Sequence, residues 1–321
     1  MTKIKRPTVA ECESAAERLR NIVVRSPLVP LHFYDGSTDI LLKPEIHQVV
    51  GSFKIRGVFN AVACLHDDER QNGLSTVSAG NTAQALAWVG RHFGVPARSI
   101  MPQSAPASKV EAVRAYGGIP ILVPTEEVFR FLREHAWEEE PYAFIHPWTN
   151  RDVMIGHGTM GLEIIADCPE VDSVYIPVGG GGLIAGLGSA LKALKPSIRV
   201  IAVEPQRCPS FYASRAAGKP TTVECNTICD GVAVPYITQE MYPLIDGLAD
   251  DAVLVPEDAV RSAIERLASR NKIVAEGSGA LATAAALATP QDHRGRTVCI
   301  VTGGSIDMEK LTAILSDAPL S

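Results

Sequence analysis

Long apolar runs, an excess of basic residues and paired cysteine motifs are all missing from this sequence. No stretch approaches the roughly 18 consecutive apolar residues that a membrane-spanning helix needs, and the first residues lead into a polar segment rich in glutamate instead of an apolar signal. The formal net charge of -6 argues against nucleic acid or anionic membrane as a partner, because both repel an acidic protein. We therefore expect a cytoplasmic protein with neither kind of partner.

Cysteine is present but follows no recognisable pattern. The seven cysteines are scattered along the chain, odd in number, and include no C-x-x-C pair. This distribution predicts reduced thiols in a cytosolic protein. Cys225 and Cys229 are close in sequence, but no further candidate ligands accompany them, so we do not expect a metal site there.

Aromatic residues are also scarce, at 6% of the chain, whereas hydrophobic residues as a whole make up 46%. Short β-branched runs alternate with longer amphipathic segments, which is typical of parallel sheets covered by helices. The predicted strands are 40–42, 99–101, 120–123, 173–178, 200–203 and 297–302. The predicted helices are 9–23, 82–93, 107–116, 127–138, 183–193, 256–269 and 279–288. The length allows two domains, although no shift in composition marks a boundary.

One local design, a strand followed by a glycine-containing turn and a helix, occurs three times. The turns are S-A-G-N at residues 78–81, G-G-G-G at 179–182 and T-G-G-S at 302–305. Turns of this kind lie at the carboxyl ends of parallel strands, where they present free N–H groups and a positive helix end to an anion. Four successive glycines carry a large entropic cost, so the second turn predicts a phosphate site and not merely a tight turn.

A dinucleotide fingerprint is the competing interpretation of the same glycines. The string Gly180-x-Gly182-x-x-Ala185 satisfies its spacing, and Glu204 lies about where an acidic residue would contact the ribose. The match is weak, and an NAD-binding protein is therefore kept as the alternative from a different functional class.

The segment S-F-K-I-R-G at residues 52–57 precedes an amphipathic helix, and its lysine taken alone is an ordinary helix lysine. In order and spacing, however, this segment, S-A-G-N-T-A-Q at 78–84, G-G-G-G at 179–182 and T-G-G at 302–304 together resemble the fold-type II pyridoxal-phosphate enzymes, specifically the serine/threonine dehydratase and serine racemase family. The likeness runs from about residue 18 to residue 307.

The resemblance implies an α/β fold of the tryptophan synthase β type, with two open, twisted parallel-sheet domains and pyridoxal 5'-phosphate in the cleft between them. It places a large domain at residues 1–72 and 148–321 and a small inserted domain at residues 73–147. It also implies a homodimer that binds a small amino-acid substrate.

The same resemblance assigns the site residues. Lys54 is implied to be the Schiff-base lysine and the base at Cα, roles that require a desolvated amine with a lowered pKa. The cofactor-binding residues implied are Phe53, Lys54, Asn81, Gly179, Gly180, Gly181, Gly182, Leu183, Glu276 and Thr302. The substrate-binding residues implied are Ser78, Ala79, Gly80, Asn81 and Thr82. Thr302 is implied to meet the pyridine nitrogen, where a neutral hydroxyl gives a milder electron sink that favours elimination.

Departures from the family pattern narrow the predicted chemistry. Ala79 stands where the racemases carry a serine base, which predicts elimination with little racemisation. Thr82 replaces the usual histidine and resembles the cysteine synthases, so β-replacement remains a minor alternative. Trp148 follows a His-Pro pair, and two interpretations of it have equal weight. It is either a core residue or a pocket residue, and in the pocket it would favour an unusual β-substituent over that of serine. Ser210 occupies an aspartate position of a family cation site, leaving Glu204 as a weak ligand, so we expect no tightly bound metal.

These features predict a dehydratase that converts a β-hydroxy amino acid such as threonine or serine to a 2-oxo acid and ammonia. The alternatives are dehydration of 3-hydroxyaspartate or phenylserine and, less favoured, racemisation or β-replacement. Residue types do not separate these substrates, because a methyl-sized difference is worth only about 1–3 kcal/mol.

Overall fold

The computed structural model describes residues 4–32 and 39–317. Its strands are β1 (Val29–Pro30), β2 (Ile40–Pro44), β3 (Leu74–Val77), β4 (Ala97–Pro102), β5 (Ile119–Val123), β6 (Ala143–Phe144), β7 (Ser173–Pro177), β8 (Arg199–Pro205), β9 (Asp251–Val255) and β10 (Thr297–Val301). Its helices are α1 (Val9–Leu19), α2 (Lys54–Ala63), α3 (Asp67–Gln71), α4 (Asn81–Phe93), α5 (Ala107–Ala115), α6 (Thr125–Arg133), α7 (Arg151–Asp167), α8 (Gly182–Leu194), α9 (Ser210–Ala217), α10 (Tyr242–Asp246), α11 (Glu257–Arg266), α12 (Gly277–Ala288), α13 (Gln291–Arg294) and α14 (Met308–Leu315). None of the helices in these two ranges combines the length and apolar character needed to cross a membrane.

The strands form two separate sheets. A six-stranded sheet has the order β1-β2-β10-β7-β8-β9, and a four-stranded sheet has the order β5-β4-β3-β6. Every pairing is parallel except that of β1 with β2. This confirms the predicted α/β class with two parallel sheets. The smaller sheet lies within residues 74–144, inside the segment predicted to be an inserted domain; the domain boundaries themselves stay a prediction.

The larger sheet is buried on both faces, as parallel sheets usually are. Val174 and Ile176 of β7 pack into one apolar cluster with α7 and α8, whereas Tyr175 between them packs into a second cluster with α11 and α12. Because successive side chains of a strand point to opposite faces of the sheet, the same strand contributes to the apolar cluster on each face.

Helix α7 is the longest helix described, and it was not predicted from the sequence. Its glycines lower its intrinsic helix propensity, but the fold requires them. A Cβ on Gly156 would lie 2.3 Å from the carbonyl oxygen of Arg56 on α2, and one on Gly161 would lie 2.8 Å from the Cβ of Ala190 on α8. These small residues let three helices pack closely, a contact that local sequence does not reveal.

Helix α6 ends earlier than predicted, at Arg133 instead of residue 138. Two residues later, His135 adopts a left-handed conformation with φ of 56°. An L-residue in this conformation cannot continue a right-handed helix, so the chain turns before β6.

The prediction that all seven cysteines are reduced is wrong for one pair. The structure joins Cys208, in the turn after β8, to Cys225 in the coil after α9 as a disulfide with a Cα–Cα distance of 4.3 Å. The two cysteines are 17 positions apart in the sequence, and the residues between them form a helix and a returning coil, so the pairing depends on the tertiary path and not on a sequence motif. Cys12, Cys64, Cys168, Cys229 and Cys299 are free thiols.

Candidate active site

A cleft of about 430 Å³ lies where carboxyl ends of strands from both sheets meet. The turn after β3 approaches it from the smaller sheet, and the turns after β7 and β10 approach it from the larger sheet. The residues predicted for the site all line this cleft: Phe53, Lys54, Ser78, Ala79, Gly80, Asn81, Thr82, Gly179, Gly180, Gly181, Gly182, Leu183, Glu276 and Thr302. The roles assigned to them remain predictions.

Lys54 is held in place by backbone pairing between two distant segments. The Phe53 N–H donates to the Thr302 carbonyl at 3.0 Å, and the Gly304 N–H donates to the Gly51 carbonyl at 3.0 Å. Gly51 has a φ of +68°, which a residue without a Cβ adopts at little cost. The start of α2 is thereby pinned to the turn after β10, so Lys54 and Thr302 lie in the same cleft.

The amine of Lys54 has little compensation for its burial. Its Nζ lies 5.1 Å from the centroid of the Phe53 ring. Removal from water lowers the Lys54 pKa to about 8, although the negative charge of Glu276 opposes the shift. A drop from 10.5 increases the neutral fraction at pH 7 by roughly two orders of magnitude, which is the form that a nucleophile or base requires.

A hydrogen bond joins the two sides of the cleft behind the lysine. Asn81, the first residue of α4, donates from Nδ2 to Glu276 Oε1 at 2.7 Å. Glu276 is only 3% exposed. Its burial, followed by the nearby Asp230 carboxylate, raises the Glu276 pKa to about 7, against the opposing effects of Lys109, the Asn81 hydrogen bond and Lys54. This carboxyl group therefore titrates near neutral pH.

The four successive glycines are required by neighbouring protein atoms as well as by their expected ligand. A Cβ on Gly180 would lie 2.3 Å from Cδ2 of Trp148, and one on Gly181, where φ is +90°, would lie 2.1 Å from Cδ1 of Ile245. The corresponding distances are longer at the two ends of the turn, 3.0 Å from Gly179 to Cα of Val232 and 2.9 Å from Gly182 to Cα of Trp148. Packing against these atoms is thus a second reason for the four glycines, in addition to the expected binding of phosphate.

The cleft nevertheless suits the cofactor that the resemblance implies. The tetraglycine turn leads into the amino terminus of α8, whose first N–H groups have no side-chain cap, and such a terminus favours a phosphate. Asn81 Oδ1 and Ser278 Oγ are buried without a hydrogen-bond partner, and both residues line the cleft. An amine with a lowered pKa, an anion site and unpaired polar atoms are the groups that pyridoxal phosphate would engage.

Some lining residues were left open or not predicted from the sequence. Trp148, which we weighed equally as core or pocket, lines the cleft and is 9% exposed. Lys109 of α5 also lines it and forms an ion pair with Asp230 across the opening. A third contribution comes from the apolar face of α6, including Val128 and Leu132. The amphipathic pattern of α6 was visible in the sequence, but not the surface that its apolar face meets.

Glu204 is engaged within the protein. Its carboxylate accepts hydrogen bonds from the backbone N–H groups of Phe211 and Tyr212, each at 2.7 Å, and from Ser210 Oγ at 3.3 Å. It therefore holds the first turn of α9. Burial raises the Glu204 pKa to about 7 despite these bonds. Among the described residues, no cluster of three potential ligands suited to a metal ion is found.

Comparison with known proteins agrees with this geometry. Residues 19–303 match the family model described as pyridoxal-phosphate dependent enzyme. The chain is 38% identical to an L-threonine ammonia-lyase of Thermotoga maritima, over 96% of this chain and 78% of that protein. It is 33% identical to a catabolic L-threonine dehydratase of Staphylococcus aureus, over 96% of this chain and 92% of the relative.

Among solved structures, maize serine racemase superposes with a TM-score of 0.89 at 33% identity, covering 98% of each chain. These similarities disfavour the alternative of an NAD-binding protein. The family model spans most of the sequence, and the motifs that suggested the family meet in one cleft. The chain therefore belongs to the family of pyridoxal-phosphate-dependent enzymes.

Proposed function

We propose that this protein is a lyase that converts a β-hydroxy amino acid to a 2-oxo acid and ammonia. The observation that carries the proposal is the position of Lys54, whose amine has a lowered pKa and shares one cleft with the Ser78–Thr82 turn and the tetraglycine turn. The threonine ammonia-lyase and dehydratase names of the relatives support the same reaction.

In the proposed mechanism, the tetraglycine turn, with Leu183 behind it, would hold the cofactor phosphate. Phe53, Asn81, Glu276 and Thr302 would contact the ring, and Lys54 would carry the cofactor. Bound pyridoxal phosphate supplies the electron sink that makes the substrate Cα proton acidic.

The protein itself positions the substrate and moves the proton. The turn at Ser78, Ala79, Gly80, Asn81 and Thr82 would bind the substrate carboxylate, because it leads into the amino terminus of α4. Lys54 Nζ, released when the substrate amine takes its place, would take the Cα proton and pass a proton to the β-hydroxyl, which would leave as water. The released enamine hydrolyses to the 2-oxo acid and ammonia.

Ala79 favours elimination over racemisation. Inversion needs a proton donor on the face of Cα opposite Lys54, and an alanine at that position supplies none. Racemisation is the second candidate reaction, because a serine racemase is among the structural relatives. It is tested by following conversion of L-serine to the D-enantiomer, and a rate comparable to that of 2-oxo acid release would refute elimination as the main reaction.

A labelling experiment tests the role of Lys54. We expect the protein to be yellow, to lose its visible band on borohydride reduction, and to retain the cofactor on the peptide that contains Lys54. Lys54→Ala should reduce 2-oxo acid release by at least about 100-fold, whereas the exposed Lys219→Ala should leave it unchanged. Undiminished activity in Lys54→Ala would rule out this mechanism.

The quaternary and cellular setting are part of the same proposal. We propose a large domain at residues 1–72 and 148–321, a small inserted domain at residues 73–147, a homodimer, and a cytoplasmic location. Family resemblance supports the first three, and the lack of a long apolar run in the sequence supports the fourth. Sedimentation equilibrium would test the dimer directly.

A further inference from the structure

We infer that the substrate carries a bulky apolar group on its β-carbon, preferably an aryl ring, and that Phe129, Leu132 and Trp148 recognise it. This inference rests on the proposed function, because it assigns the substrate class of the same cleft. It favours phenylserine, one of the alternatives that the sequence left open, over serine and 3-hydroxyaspartate.

An apolar wall contributed by α6 carries the inference. Val128 and Leu132 are four residues apart and therefore lie on one face of the helix. They are 7% and 6% exposed and line the cleft together with Phe129. The Phe129 ring makes an edge contact with Tyr236 at a centroid distance of 6.5 Å. Polar or charged side chains at these positions would be expected if the cleft accepted a polar β-substituent.

Trp148 makes the adjoining part of the wall rigid. Its indole is packed so closely on the tetraglycine turn that no Cβ fits at Gly180. On another side its ring meets the His146 ring at 4.9 Å and 85°. Burial lowers the His146 pKa to about 3, so this neighbour is a neutral ring. Trp148 is thus a fixed aromatic surface beside the cofactor-binding turn.

The charges of the cleft argue against a second carboxylate on the substrate. Among the described residues that line it, the cations are Lys54 and Lys109. Lys54 is committed to the chemistry, and Lys109 is already paired with Asp230. An added carboxylate would have to displace Asp230 or remain unpaired beside apolar side chains, which is costly. An apolar substituent instead gains by leaving water.

A binding experiment tests the wall independently of turnover. L-Phenylalanine, L-alanine and L-aspartate lack the β-hydroxyl and cannot eliminate water, so their Kd values are measured from changes in the visible spectrum of the holoenzyme. Burial of a phenyl side chain predicts about 10- to 150-fold tighter binding of phenylalanine than of alanine, with aspartate the weakest. Equal binding of phenylalanine and alanine, or tighter binding of aspartate, would overturn the inference.

Turnover of phenylserine, threonine and serine provides the second measurement. We expect the kcat/KM ratio of phenylserine to serine to exceed about tenfold, and to fall about tenfold or more in Leu132→Ala and in Phe129→Ala. Phe131→Ala is the matched control, since Phe131 lies on the same helix but packs against Phe144; its ratio should equal that of the wild type.

The outcomes separate the two proposals. If phenylalanine binds preferentially but no substrate releases a 2-oxo acid, the proposed apolar site is supported and the proposed lyase activity is refuted. Release from serine or threonine with a higher kcat/KM than from phenylserine would retain the lyase and refute the apolar site. Equal loss of the ratio in Phe131→Ala would show that α6 packing, and not contact with the substrate, sets the preference.

Discussion

Lys54 and Arg56 are two cations only two residues apart on α2, and they occupy opposite electrostatic environments. Two residues correspond to about 200° around a helix, so the two side chains leave α2 on opposite sides. Lys54 enters the cleft, where no hydrogen bond to its amine is found among the described residues. Arg56 is fully buried on the other side, where several acceptors surround it.

The environment of Arg56 is a balanced cluster of charges. Its guanidinium donates to both carboxylate oxygens of Glu45, at 2.7 and 2.9 Å, and to both of Glu163, at 2.7 and 3.0 Å. Lys43 also contacts Glu163, so two cations face two anions. Pairing with both carboxylates raises the pKa of Arg56 in spite of its burial.

The difference shows how one short motif supplies both support and chemistry. Arg56 links α2 to α7 and to the segment after β2. Its positive charge is neutralised by Glu45 and Glu163 inside the protein. Lys54 keeps its amine reactive because its charge is not neutralised in this way. Removing the two cations should therefore change stability in opposite directions.

Arg56→Met is expected to have the largest effect on stability. It leaves Glu45 without its charged partner and Glu163 with only Lys43, both in the interior, so unfolding should become easier by about 3–5 kcal/mol. Urea denaturation measures the change. Arg114→Met, which breaks an exposed pair with Glu111, should change the free energy by less than about 1 kcal/mol. A cost for Arg56→Met no greater than that of this control would contradict the proposed support.

Lys54→Met should stabilise the cofactor-free protein by about 1–3 kcal/mol at pH 7, after allowance for partial access of water. The Lys54 pKa is lower in the folded protein, about 8, than in the unfolded chain. The gain should therefore be complete below pH 8 and disappear as the pH rises toward 10.5. Thermal melts across this range test it, with the exposed Lys219→Met as control. A destabilised Lys54→Met would contradict the contrast with Arg56.

Glu276→Gln should give the smallest change and a different pH profile. The Glu276 pKa is raised to about 7 in the fold, so protonation favours the folded state and this contribution is lost as the pH rises through 7. The variant should match the wild type below pH 4.5 and exceed it by about 1–2 kcal/mol above pH 7. The exposed Glu265→Gln should follow the wild-type profile. Parallel curves for Glu276→Gln and wild type would show that this carboxyl group does not titrate near neutrality.

Part of the fold could be predicted because its signals are local. Strands such as β7 and β10 are short β-branched runs ended by glycine turns, and α4 and α11 show clear helical periodicity, so these elements were found near their observed bounds. Helix α7 and the short strands β1 and β6 were missed. Their formation depends on partners elsewhere in the chain, which outweigh weak local preference.

The sequence by itself determined the cofactor family and predicted the chemistry of the site. The four motifs identified the family, selected Lys54, and placed Ala79 where the resemblance puts the racemase base, because these features reside in residue type and order. Tertiary structure decided what those residues meet. It brought turns from two sheets into one cleft, joined Asn81 to Glu276, paired Cys208 with Cys225, and set Trp148 and the apolar face of α6 in the same cleft as Lys54. Such contacts join residues far apart in the chain, so burial, pKa and pocket shape arise only once the chain has folded.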